Sequence, residues 1–206
     1  MGEDPTEKYD WDQVVEFHGH VCPGLAFGFR AAREALRALG IGPAQDEELV
    51  GMVEHDACGV DAFQMLTGCT LGNGSLMYHD LGKPAYSLAQ RGTGGQSVRV
   101  VVRSPDWEDG ERLRCLGQLI RSGEAGERER REYDRLRDDY IRHILSAPAS
   151  EFISVSEKKL DLPERAQIFP SVICHRCGEE VMEPRARVRD GQAVCLPCAT
   201  EYACRW

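Results

Sequence analysis

The sequence predicts an α+β core domain over residues 1–170, an antiparallel or mixed sheet with helices, followed by a small cysteine-rich module over residues 171–206. Three observations predict it. Leu25, Phe29, Ala32, Leu36 and Leu39 form an apolar stripe at helical spacing. "AYSLAQ" and "SVRVVVRS" read as two strands joined by the glycine-rich "RGTGGQ", an antiparallel hairpin. Four of the nine cysteines crowd into residues 174–198, which sets the boundary near residue 170.

Trp11, Val14, Val15 and His18 place a short first helix over residues 10–17. After the break "GHVCPG" comes the striped helix, with Pro23 suited to its first turn because its missing N–H would be unpaired there anyway, and Gly40 at its end. "ELVGMVEHDACG" reads as a strand with Val50, Met52, Glu54, Asp56 and Cys58 on one side, and "VDAFQMLTG" as a short helix. "CTLGNGSLMYHDLGKP" has no period and reads as a structured loop ahead of the hairpin. Residues 106–120 and 127–145 are helical, the second with Tyr133, Leu136, Tyr140 and Ile144 inward. Between residues 121 and 142 seven arginines cancel seven acids, the mark of a solvated helix face. Residues 147–171 hold three prolines and read as a last strand plus a linker.

A net charge of −9 disfavours nucleic acid as a partner, because such binding rests on neutralising phosphates. The excess charge lies in the core, since residues 171–206 hold five arginines and five acids. "MGEDPTEKYD" offers no apolar signal segment and no apolar run is long enough to span a membrane, so a soluble, cytoplasmic protein is expected. A reducing compartment argues against disulfides, and nine cysteines cannot all pair within one chain. Metal ligation and thiol chemistry remain.

Cys174 and Cys177, then Cys195 and Cys198, form C-x2-C pairs separated by a 17-residue spacer. Four thiolates complete a tetrahedral shell for Zn²⁺, so this is a four-cysteine zinc ribbon whose structural zinc has no open position. The spacer supports it: strand-like "VMEPRARV" and "AVC" flank Asp190-Gly191, a favoured tight-turn pair. So small a module cannot bury enough apolar area to fold alone, and the metal supplies the difference. His175 is expected to face solvent and Cys204 is surplus. Arg185, Arg187 and Arg189 alternate along one strand, a small basic face that is also an ordinary solvated one.

A second cluster opens the chain. His18, His20 and Cys22 suit zinc, nickel, cobalt or iron. His18 also falls on the apolar side of the first helix, which leaves it either ligand or core. Cys22 precedes Pro23 at a helix start, where unpaired N–H groups lower a thiol's pKa and make it a ligand or a nucleophile. Cys58 has the same setting, so both cysteines are candidate catalytic and metal-binding groups facing one cleft. Asp56, Asp61 and Gln64 are placed to line that cleft or support its ligands. Cys69 and Cys115 read as small buried hydrophobes.

"FHGHVCPGLAFGFRAA", "DACGVDAFQMLTGCTLGNGSL" and "DLGKPAYSL" closely resemble the E-subunit family of formylmethanofuran dehydrogenase over about residues 11 to 150. The C-terminal module is similar to the zinc fingers of conjugal-transfer and starvation-response regulators. The resemblance implies a metal site in an α+β core, a zinc ribbon and a homodimer. It implies that His20, Cys22 and Cys58 line the core site with His18 beside them, and that Asp80 and Lys83 flank the cleft. His55 and His79 depart from the family pattern. The family lies in or near operons for a molybdenum or tungsten enzyme that reduces CO₂ to a formyl group, yet this chain carries no molybdopterin or iron–sulfur motif.

The expectation is therefore a metal-binding two-domain protein, with structural Zn²⁺ in the ribbon and a second transition metal (Zn, Ni or Fe) in the core. Whether it is an enzyme stays open. It is either an accessory or catalytic subunit linked to one-carbon redox metabolism, or a metal-dependent regulator or chaperone whose ribbon contacts protein or nucleic acid.

Overall fold

Asp10 starts the first helix by a reciprocal cap: its carboxylate accepts the Gln13 N–H at 2.9 Å, and Gln13 Oε1 accepts the Asp10 N–H at 3.0 Å. This helix, α1 (Trp11–His18), ends at Gly19 in the left-handed conformation, φ 90°. Helix α2 (Pro23–Leu39) follows with Cys22 as its N-cap and ends at Gly40. The computed structural model describes residues 8–93 and 96–199. They divide into two compact units, Met1–Arg165 and Ala166–Trp206.

The first unit is built on a five-stranded sheet in the order β2-β1-β3-β4-β5. Its strands are β1 (Leu49–Val53), β2 (Leu76–Tyr78), β3 (Ala85–Gln90), β4 (Ser97–Val102) and β5 (Ile153–Glu157). Only β1 and β2 run parallel, so the sheet is mixed. The helices after β1 and β4 are α3 (Gly59–Thr67), α4 (Gly110–Ser122), α5 (Glu127–Ser146) and the single turn α6 (Ala149–Phe152). Leu25, Phe29, Ala32 and Leu36 of α2 pack with Phe63, Leu88, Val100, Ile144 and Phe152 in one core. Arg30 ties α5 to α2 by donating to the carbonyls of Ile144, Leu145 and Ala147, the unpaired acceptors at that helix end.

Every residue of β1 is buried, because its other face is covered too. Leu160, from the stretch read as linker, packs there against Met52 and Ala89. Arg91 anchors this cover through the carbonyls of Pro163 and Glu164.

Several expectations need correction. The predicted strand through Cys58 stops at Val53, because the Glu54 carbonyl turns to accept the N–H groups of Leu81 and Lys83, and residues 54–58 leave the sheet. The stretch read wholly as loop contains β2. Helix α4 starts at Gly110 and not at residue 106. Cys115 is exposed on α4, whereas Cys69 is fully buried and its thiol is pushed up to about 11 by burial. In α5 the buried residues are Leu136, Ile141 and Ile144, with Tyr140 only partly covered.

The second unit holds two hairpins, β6 (Ser171–Ile173) with β7 (Glu180–Met182) and β8 (Arg187–Arg189) with β9 (Gln192–Val194), then the turn α7 (Leu196–Ala199). "VMEPRARV" is thus two strands broken at Pro184 by a 3-10 turn, which takes Arg185 out of the arginine strand. Asp190 (φ 52°) and Gly191 (φ 77°) are both left-handed, as a two-residue hairpin turn requires. Among the described residues no helix is long and apolar enough to cross a membrane.

Candidate metal centres

The second unit brings the Sγ atoms of Cys174, Cys177, Cys195 and Cys198 within 4.8 Å of one another. Cys177 and Cys195 stand 3.8 Å apart. Tetrahedral Zn–S bonds of about 2.3 Å put two sulfurs about 3.8 Å apart, so the cluster fits a structural zinc. Cys174 Sγ accepts the Cys195 N–H at 3.3 Å. The N–H groups of Cys177 and Cys195 hold this thiol down at about 6. The neighbouring Cys195 thiol, in contrast, pushes Cys198 up to about 12. One thiolate forms readily; four at once need a cation between them. His175 is exposed and outside the cluster, and Cys204 lies outside the described residues.

In the first unit His18, His20, Cys22 and Cys58 also place one donor atom each within 4.8 Å of the others. His18 is the last residue of α1, and the Gly19 turn folds His20 back so that the two rings lie 4.3 Å apart. Cys22 and Cys58 are the N-caps of α2 and α3. The two helix starts meet through glycines: a Cβ on Gly24 would touch both Cys22 Sγ (3.9 Å) and Cys58 Cβ (3.5 Å).

His18 Nδ1 lies 2.7 Å from Asp61 Oδ2, which assigns the ring proton to Nδ1. In the neutral ring Nε2 is then a lone pair, and that atom is buried with no partner among the described residues. A carboxylate behind an imidazole is the usual support of a metal-bound histidine. Behind Asp61 stands Gln64, whose amide approaches Oδ1 at 3.5 Å while its Oε1 accepts the Leu71 N–H. Two imidazoles and two thiols with one orphaned lone pair suit zinc, nickel or iron, and a metal there accounts for the orphan.

The two cysteines differ. Cys22 Sγ accepts the Leu25 N–H at 3.3 Å, but burial pushes its thiol up, and the Cys58 thiol beside it adds to that. The lowered pKa expected from its helix-start position is not found, because burial outweighs the N–H groups. Cys58 has an αR backbone and makes no side-chain cap, so its setting is not that of Cys22.

A cavity of about 440 Å³ opens beside His18 and Cys58, with Asp56, Asp61, Gln64, His55, Leu71 and Tyr78 in its wall. Asp80 and Lys83 do not line it: the backbone of this segment is tied to the end of β1 through Val53 and Glu54, and both residues are exposed. His79 is likewise exposed and outside the cluster. Sequence reasoning passed over Gly28 and Gly59, which set the α2–α3 approach, and Tyr86. A glycine inside the α2 stripe was the available signal, since glycine weakens a helix unless close packing needs it.

Residues 17–154 match the family described as "FmdE, Molybdenum formylmethanofuran dehydrogenase operon". The chain belongs to the FmdE family. Residues 167–202 match the prokaryotic dksA/traR C4-type zinc finger, so this FmdE chain carries an appended ribbon. A "Probable S-adenosyl-L-methionine-binding protein" of Archaeoglobus fulgidus is 35% identical over 197 residues, 92% of this chain and 52% of that protein. The chain thus spans about half the length of that curated relative. The crystal structure of an FmdE-like protein of the tungsten formylmethanofuran dehydrogenase type, from Syntrophus aciditrophicus, matches with a TM-score of 0.62 at 24% identity. It covers 98% of this chain and 100% of the other, and it supports the FmdE fold.

Proposed function

We propose that this FmdE protein holds a transition metal on His18, His20, Cys22 and Cys58, and uses it on a small molecule entering the adjoining cavity. The reading rests on one observation above others: His18 Nε2 is buried, without a partner among the described residues and backed by Asp61, inside a cluster of four donors. Placed with its family, the protein would serve as an accessory or catalytic component of formylmethanofuran dehydrogenase-type one-carbon redox metabolism, in the cytoplasm and as a homodimer. Metal analysis of anaerobically purified protein tests the site. Two metals per chain are expected, one of them lost in Cys22→Ser and Cys58→Ser. A single metal that disappears when ribbon cysteines are replaced would overturn it. A host lacking the chain should lose formylmethanofuran dehydrogenase activity, and undiminished activity would remove the metabolic link. Light scattering reads the dimer.

The charge of the cavity favours a second reading. Among the described residues its wall holds Asp56 and Asp61 and no lysine or arginine, which suits a cation better than a phosphate. A sulfonium such as S-adenosyl-L-methionine, which the Archaeoglobus fulgidus relative is named for binding, has that charge. Equilibrium dialysis with labelled S-adenosyl-L-methionine decides: saturable binding weakened by Asp56→Asn supports this reading, and no binding removes it.

A further inference from the structure

The aromatic ring of Tyr86 is among the best packed groups in the molecule. It is 2% exposed, stacks on Phe63 with ring centres 5.2 Å apart, and meets the edge of His55 at 4.9 Å. Its hydroxyl lies directly over Gly59, where a Cβ would come within 2.2 Å of the oxygen. A buried phenol ordinarily turns its hydroxyl to a hydrogen-bond partner. Burial holds its pKa above the usual range, so it is a neutral donor.

The His55 ring beside it repeats the pattern. Its Nδ1 accepts the Ala57 N–H at 3.1 Å. Burial also keeps this imidazole neutral by lowering its pKa, so its one proton sits on Nε2. That atom is buried without a partner among the described residues.

Both rings wall a cavity of about 280 Å³ separate from the acidic one, sharing with it only His55 and Ala57. The rest of its wall is largely apolar, with Phe27, Pro84 and Val102, and among the described residues its one charged side chain is Arg103. A mostly apolar pocket with a few converging polar groups is how small-molecule sites are built. Here the polar groups are donors and the charge is positive, the reverse of the neighbouring cavity.

We propose that this cavity is a binding site for a small aliphatic carboxylate, whose oxygens accept from the Tyr86 hydroxyl and His55 Nε2–H while its chain lies against Phe27 and Val102. Gly59 leaves room for the hydroxyl, and Arg103 selects the anion. None of the four core metal donors lines this cavity, and with metal content counted the two sites can fail separately.

The test is titration calorimetry of the full, zinc-loaded chain with butyrate, set beside butanol and butylamine as the uncharged and cationic counterparts. Metal content is counted on the same samples. Butyrate should bind saturably and butylamine should not. Tyr86→Phe, which keeps the packed ring and removes only the oxygen, should weaken butyrate about tenfold, the size of one lost hydrogen bond. His55→Gln should weaken it similarly. No saturable butyrate binding would overturn the proposal, as would an affinity unchanged in Tyr86→Phe protein that keeps the parent's melting temperature.

Discussion

Gly28 of α2 and Gly59 of α3 pack backbone to backbone: a Cβ on Gly28 would lie 2.1 Å from the Gly59 carbonyl oxygen. No side chain rotates away from such a contact, since the obstacle is main chain. Gly28→Ala must therefore separate the two helices that carry Cys22 and Cys58. We expect a loss of about 2–3 kcal/mol in urea unfolding, typical of overpacking, with the core metal lost and the ribbon metal kept. Full core-metal occupancy in the variant would contradict this.

Asp61 would act on a core metal through His18, its partner at 2.7 Å. Asp61→Ala frees the imidazole to rotate and to carry its proton on either nitrogen. Affinity for the core metal should fall about 10- to 100-fold in a competition titration against a chelator, as for other supporting carboxylates. Ribbon occupancy should not change, and an unaltered core affinity would show that His18 is not a ligand.

Glu54 is nearly buried and forms a two-pronged pair with Arg99, both contacts at 2.7 Å. The guanidinium holds the carboxyl below its ordinary range. Arg99→Met would strand a buried charge at a cost of about 3 kcal/mol near pH 7. Because the folded-state pKa is depressed, the stabilisation is fully present above the unfolded value of about 4.3 and fades as pH falls through the lower folded value. The gap between parent and variant in urea unfolding should thus narrow below about pH 4. A gap constant from pH 7 to 3 would exclude this origin.

The ribbon should come apart when its metal is removed. A strong chelator at pH 7, or Cys174→Ser, should erase amide dispersion from residues 171–199 in NMR spectra and leave the resonances of the first unit in place. Dispersion that survives metal removal would show that the hairpins hold themselves.

Much of this was legible in the sequence where periodicity or spacing is strong. The α2 stripe, the β3–β4 hairpin and the Asp190-Gly191 turn stand where residues with a local preference put them. The ribbon was legible because its ligand spacing is itself the signal. The strand through Cys58 misled because alternation on paper cannot reveal that Glu54 turns its carbonyl to the next loop. The thiol of Cys22 misled because local sequence shows the helix N–H groups but not the depth of burial that opposes them. His18 was ambiguous because its deciding neighbour, Asp61, is distant in sequence, and Tyr86 drew no notice because an aromatic in a strand is ordinary.

The four core donors straddle the chain: three run from the last residue of α1 to the cap of α2, and the fourth lies beyond β1 at the start of α3. An ion held by them would be a removable cross-link, closing all of α2 and β1 into one loop. Such closures stabilise chiefly by restricting the unfolded chain, more so when the loop is long. Occupancy of the centre and resistance to unfolding should therefore rise and fall together, which makes the first unit a reporter of its own metal supply.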